Sequence, residues 1–124
     1  MQRLNEYFLT LDIETSGEYE TDENGVEKPV AVWLSYGYSI LWDKKGNAVQ
    51  ECYFRDWFTL IKFYDEISAR FYFYEIINYV HNLGYEFDYL MKNISKPKKF
   101  LSNSTHATIS ATLERYKNIQ FRFP

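Results

Sequence analysis

The sequence predicts a mixed α/β fold, and three observations carry that prediction. Tyr7 to Thr15 is a β-branched, aromatic and apolar run that reads as a strand buried on both faces. Two more strand-like runs follow across turn residues, and a stretch with helical spacing then leads into a further β-branched run, which implies a crossover to a parallel strand. Finally, the 124 residues are 46% hydrophobic and 20% aromatic, enough for one core without disulfide or metal staples. Residues 1–124 therefore read as a single domain.

The elements follow in order. On a period of two, Leu9, Leu11 and Ile13 share one face of the first strand, and Thr10, Asp12 and Glu14 share the other. Ser16 to Pro29 is polar, acidic and turn-rich, with Asn24-Gly25, and reads as an exposed loop or the tip of an extended hairpin. Val30 to Trp42 is the second strand, and the turn residues Asp43 to Asn47 lead into a third, Ala48 to Phe54. Asp56 is placed to cap a helix running to about Ala69, whose apolar stripe is Trp57, Leu60, Ile61, Tyr64 and Ile67. Ile76 to Val80 is the fourth strand, parallel to the first. Gly84 marks a turn into a short helix from Tyr85 to Lys92, with Phe87, Leu90, Met91 and Ile94 available for packing. The β-β-β-α-β-α order is followed by a charged loop at Ser95 to Lys99 and a β-hairpin formed by Thr108 to Leu113 and Asn118 to Phe123.

Several function classes are disfavoured by composition. No run approaches the ~18 apolar residues of a membrane-spanning helix, and the N-terminus lacks the basic-then-apolar order of a signal peptide. Cys52 is the single cysteine, so no intramolecular disulfide forms, and the simplest setting is reduced and cytoplasmic. A net charge of −3 provides no global basic field, so contact with nucleic acid must be local or must pass through a metal.

Asp12 and Glu14 are the first chemical candidates. Residues i and i+2 on a strand point the same way about 6.6 Å apart, so two carboxylates can converge on a divalent cation. As a bare pattern Asp-x-Glu is weak, and a solvated acidic pair at a strand exit is its commoner explanation. Lys96, Lys98 and Lys99 could meet a phosphate backbone, although a solvated surface run is the commoner fate of such a cluster. The aromatic residues read mostly as core, Cys52 as a buried or idle thiol, and His81 as a hydrogen-bonded structural residue.

Leu9-Thr10-Leu11-Asp12-Ile13-Glu14-Thr15-Ser16, together with Tyr79-Val80-His81-Asn82-Leu83-Gly84-Tyr85-Glu86-Phe87, resembles the first and second exonuclease motifs of family B DNA polymerases, in particular the protein-primed branch of bacteriophages and linear plasmids. The resemblance implies a ribonuclease H-like exonuclease fold and a metal-dependent 3′-5′ exonuclease of the proofreading type acting on single-stranded DNA. By position it implies Asp12, Glu14 and Glu86 as catalytic ligands of a two-metal Mg²⁺ or Mn²⁺ site. Glu86 stands where the family usually has Asp. Asp88 competes for that role, but it lies about 200° round a helix from Glu86 and can instead pair with Lys92. Thr15, Asn82 and Tyr85 match positions that contact the 3′-terminal strand.

The family's third motif, a Tyr followed four residues later by Asp, has no counterpart, because Tyr116 is followed by Gln120. The polymerase palm is absent as well. The expectation is a truncated N-terminal part of an exonuclease domain with weak or no activity alone, its C-terminal helix missing. A non-catalytic module binding single strands or a partner on the same scaffold is the alternative. Truncation also removes elements that would cover the face of Leu9, Leu11 and Ile13 or their neighbours, and so implies an exposed apolar patch beside the candidate site, covered by the remainder of a polymerase or by self-association.

Overall fold

The computed structural model describes residues 1–81, 88–90, 92–102 and 108–122. It is a mixed α/β fold with an eight-stranded sheet. The strands are β1 (Gln2–Arg3), β2 (Tyr7–Thr21), β3 (Glu27–Asp43), β4 (Ala48–Phe54), β5 (Tyr74–Val80), β6 (Pro97–Ser102), β7 (Thr108–Leu113) and β8 (Ile119–Arg122), and α1 spans Trp57–Arg70. Along the sheet the order is β4-β3-β2-β5-β8-β7-β6, with β1 pairing β5 off this path. No helix among the described residues is long and apolar enough to cross a membrane.

β2, β3 and β4 form an antiparallel meander, and β5 returns beside β2 in parallel. The return requires a crossover, which α1 provides. Asp56 caps this helix as its sequence position predicts, accepting from the Thr59 amide at 2.8 Å. Leu60, Phe63, Tyr64 and Ile67 are its buried residues and pack in one cluster with Leu9, Leu11, Ile13 and Leu41 of the sheet. α1 thus covers the inner face of β2, where Leu9, Leu11 and Ile13 are at most 4% exposed. This corrects the part of the expectation that left the face of Leu9, Leu11 and Ile13 uncovered: the crossover helix already closes it, and exposed Tyr36, Tyr38 and Tyr53 lie on the opposite face.

Buried polar groups on the inner face are satisfied. The Tyr64 hydroxyl donates to Asn78 Oδ1 at 2.9 Å, and Ser39 Oγ donates to the Thr10 carbonyl at 3.0 Å. Asn118, just before β8, donates from Nδ2 to the carbonyls of Ser68 and Phe71, both at 3.0 Å, and accepts from Ser68 Oγ at 2.6 Å. One side chain thereby ties the end of α1 to the start of β8.

Strand boundaries differ from the sequence reading in two segments. The polar segment from Ser16 takes the extended-hairpin alternative, with strands that reach further than the sequence suggests: β2 and β3 continue to a turn in which the Asp22 amide donates to the Val26 carbonyl at 2.9 Å and Gly25 has φ +78°. Pairing, rather than a hydrophobic pattern, makes these residues extended. Pro97, Lys98 and Lys99 belong to β6 and not to a loop, because Pro97 opens a strand paired antiparallel with β7. β8 pairs with β7 as expected, and it also adds to β5 in parallel. Residues 88–90 and 92–93 are helical, where the sequence predicts a helix ending at Lys92, and so reach one residue further. Leu90 is fully buried and Ile94 packs against the core, while Phe87 and Met91 lie outside the described residues.

Candidate functional site

β5 is the element that creates a site on β2. Parallel pairing runs through Leu9↔Asn78, Thr10↔Tyr79 and Leu11↔Val80, and β5 then ends while β2 continues. Asp12 is therefore the first β2 residue beyond its parallel neighbour. The carboxyl end of a parallel strand pair, where one chain departs, leaves room for a ligand that the flat interior of a sheet denies. The expected adjacency of the first and fourth predicted strands is thus found.

Strand alternation places Asp12 and Glu14 on the outer face, away from α1. Both are exposed, Asp12 between buried Leu11 and Ile13 and Glu14 between Ile13 and half-buried Thr15. No ion pair among the described residues uses either carboxylate. The backbone beneath them is tightly held: a Cβ on Gly37, the cross-strand partner of Ile13, would lie 2.8 Å from the Asp12 carbonyl oxygen and 2.2 Å from Cζ of Phe54. Only hydrogen fits there, and the close approach fixes the strand that carries the pair.

Across the strands, Asp12 is paired with Tyr38 and Glu14 with Tyr36, while Tyr38 is paired in turn with Tyr53. Cross-strand partners share a face, so these three tyrosines border the carboxylates. Their ring centroids lie 5.0 to 6.2 Å apart, and the rings are 39% to 50% exposed. Below them on the same face, Phe8 stacks on Trp42 and meets Tyr79 edge-on, and Trp42 Nε1 donates to Thr10 Oγ1 at 2.9 Å. The outer face thus carries two acids beside a platform of aromatic rings.

This platform is what the sequence reading missed. Tyr36, Tyr38 and Tyr53, with Trp33 at 47% exposure, stand outside the core to which aromatic residues were assigned. The signal was present: Tyr36 and Tyr38 alternate with buried Gly37 and Ser39.

Thr15 is half-buried on β2, directly after the first register shift against β3. Asp88 is exposed in the helical stretch, and exposed His81 directly follows β5. Asn82, Tyr85 and Glu86 lie outside the described residues, on the segment that begins after His81. Among the described residues, no three His, Cys, Asp or Glu side chains gather into a metal-binding group. Asp12 and Glu14 supply two hard oxygen donors on one face, a donor set that suits Mg²⁺ or Mn²⁺.

Other groups have structural roles. Burial pushes the Cys52 thiol upward, reinforced by the nearby Asp56 and Glu66 charges, which makes it a poor nucleophile. A groove of about 420 Å³ lined by Met1, Ser68, Tyr72, Phe73, Arg115 and Asn118 lies by the C-terminal end of α1 and the start of β5, at the opposite end of β5 from Asp12. In comparisons with known proteins, no family model, no curated protein and no solved structure matches the chain.

Proposed function

We propose that the chain is a ribonuclease H-like, metal-dependent 3′-5′ exonuclease-type domain acting on single-stranded DNA 3′ ends. The observation that carries this reading is the placement of Asp12 and Glu14 on one exposed face of β2, at the point where parallel β5 ends and the second motif begins. Support also comes from the meander β2-β3-β4, the crossover α1 and the parallel return of β5, which match the element order that the resemblance implies.

In this reading Asp12 and Glu14 bind Mg²⁺ or Mn²⁺ together with Glu86. Two such ions, when bound, activate water and stabilise the leaving oxygen of a phosphodiester. The chain itself positions the strand. Thr15, Asn82 and Tyr85 contact the terminal nucleotides, and Tyr36, Tyr38 and Tyr53 offer ring faces on which unpaired bases stack. Because the outer face is acidic, the bound metal is also what makes phosphate approach favourable.

The test is incubation of the purified chain with 5′-labelled single-stranded DNA in Mg²⁺ or Mn²⁺. Slow stepwise shortening from the 3′ end is expected, abolished by Asp12→Ala with Glu14→Ala. Metal-dependent binding without shortening supports the alternative of a non-catalytic single-strand-binding module. Failure to bind or shorten the strand overturns both.

A further inference from the structure

Beyond Thr15, β2 and β3 run on as an arm in which, among the described residues, each strand pairs only with the other. β4 pairs only with Gly37 to Trp42 of β3 and β5 only with Leu9 to Leu11 of β2, so among the described residues the arm has no third strand. Residues 18–33 are exposed throughout except half-buried Asp22. An isolated two-stranded ribbon is marginal in water, and this one displays Tyr19, Val26, Val30 and Trp33, each 47% or more exposed.

The two edges of the arm differ. The β3 edge is blunted: it carries Pro29, which has no amide hydrogen, and its register shifts twice against β2, leaving Ser35 and Val30 as extra residues. On β2, residues 16–21 contain no proline and no extra residue, so their outward amides and carbonyls form a regular edge. Charge decides what such an edge accepts. From Glu14 to Lys28 the chain bears six carboxylates, Glu14, Glu18, Glu20, Asp22, Glu23 and Glu27, against the single cation Lys28. The arm's one ion pair among the described residues is Lys28 to Asp22 at 4.0 Å. Glu14, Glu18 and Glu20 alternate along β2, so a second arm pairing with this edge would set like charges against each other, and nucleic acid would be repelled.

We infer that the β2 edge of the arm, residues 16–21, docks an extended basic polypeptide segment as an added strand. Backbone hydrogen bonds supply the affinity in this mode, and side chains at alternate positions supply the choice of partner. Lysine or arginine at every second position meets Glu14, Glu18 and Glu20, and the intervening apolar side chains extend the surface made by Tyr19 and its neighbours. The inference does not depend on the metal reading of Asp12.

The probe is a labelled peptide of about ten residues alternating lysine and valine, long enough to span the edge. Fluorescence anisotropy with the whole chain should show saturable binding that weakens with salt. The same peptide with alternate backbone amides methylated keeps its charge but loses strand pairing, and should bind at least about tenfold more weakly. Charge reversal by Glu18→Lys and Glu20→Lys, in a variant whose circular dichroism matches the parent, should abolish binding. Equal binding of the methylated peptide would reduce the contact to charge attraction and overturn the inference. So would no binding at low salt, unchanged binding by the charge-reversed variant, or, with divalent ions chelated, equal affinity for an acidic peptide or an oligothymidine.

Discussion

Asn118 joins parts of the chain that lie far apart in sequence. It is 4% exposed, and its amide serves the carbonyls of Ser68 and Phe71 where α1 has no further turn to use them. Asn118→Ala leaves the part-buried Ser68 carbonyl and Oγ without this partner, while the Phe71 carbonyl still accepts from the Tyr74 amide at 2.9 Å, so urea unfolding should show a loss of about 1–2 kcal/mol. The contrast is Asp65, whose carboxylate takes two hydrogen bonds from Arg115 at 3.0 and 2.9 Å on an exposed surface. The Arg115 hydrogen bond lowers the Asp65 pKa in the fold. A depressed folded pKa stabilises above the ordinary carboxylate range, and that contribution is lost as pH falls through the lowered value. Asp65→Asn should therefore cost about 0.2–1 kcal/mol at neutral pH, and the difference from the parent should vanish in strong acid, as thermal melts at the two pH values would show.

At the scale of elements, Gly37 joins the core to the candidate site. It lies between Ile13 and Phe54 across three strands, with no space for a methyl group. Gly37→Ala should cost about 1–3 kcal/mol through overpacking and should displace the Asp12 backbone, lowering any affinity of the acidic pair for Mn²⁺ more than its distance from the carboxylates implies. Urea melts and metal titration of the same variant check both effects. Elements were legible in the sequence wherever pattern and burial agree. Ala48–Phe54 and Thr108–Leu113 are strands over those residues, and Asp56 caps the helix that its spacing announced. Two kinds of strand were hidden. The distal parts of β2 and β3 face solvent on both sides, so Glu, Thr, Ser and Gly residues that read either as loop or as the tip of an extended hairpin are held extended by their pairing. β6 opens with Pro and Lys residues because its pairing partner, and not its composition, makes it a strand. The acidic pair was legible because period two is unambiguous there, whereas the tyrosines beside it were not, since their pairing with Asp12 and Glu14 depends on register. Register is fixed by the hairpin turn and the bulges, which composition does not reveal.

For the molecule as a whole, the sheet has one face closed by α1 and one that bears acids and aromatic rings around the end of β5. A divalent ion that binds the folded chain at Asp12 and Glu14, and not the unfolded chain, must stabilise the fold by mass action. The most direct test is the melting temperature of the parent and of the Asp12→Asn, Glu14→Gln double variant, each titrated with Mn²⁺ to millimolar concentration. The account predicts a saturable rise of a few degrees in the parent and none in the variant. No rise in the parent, or the same rise in both, would contradict it.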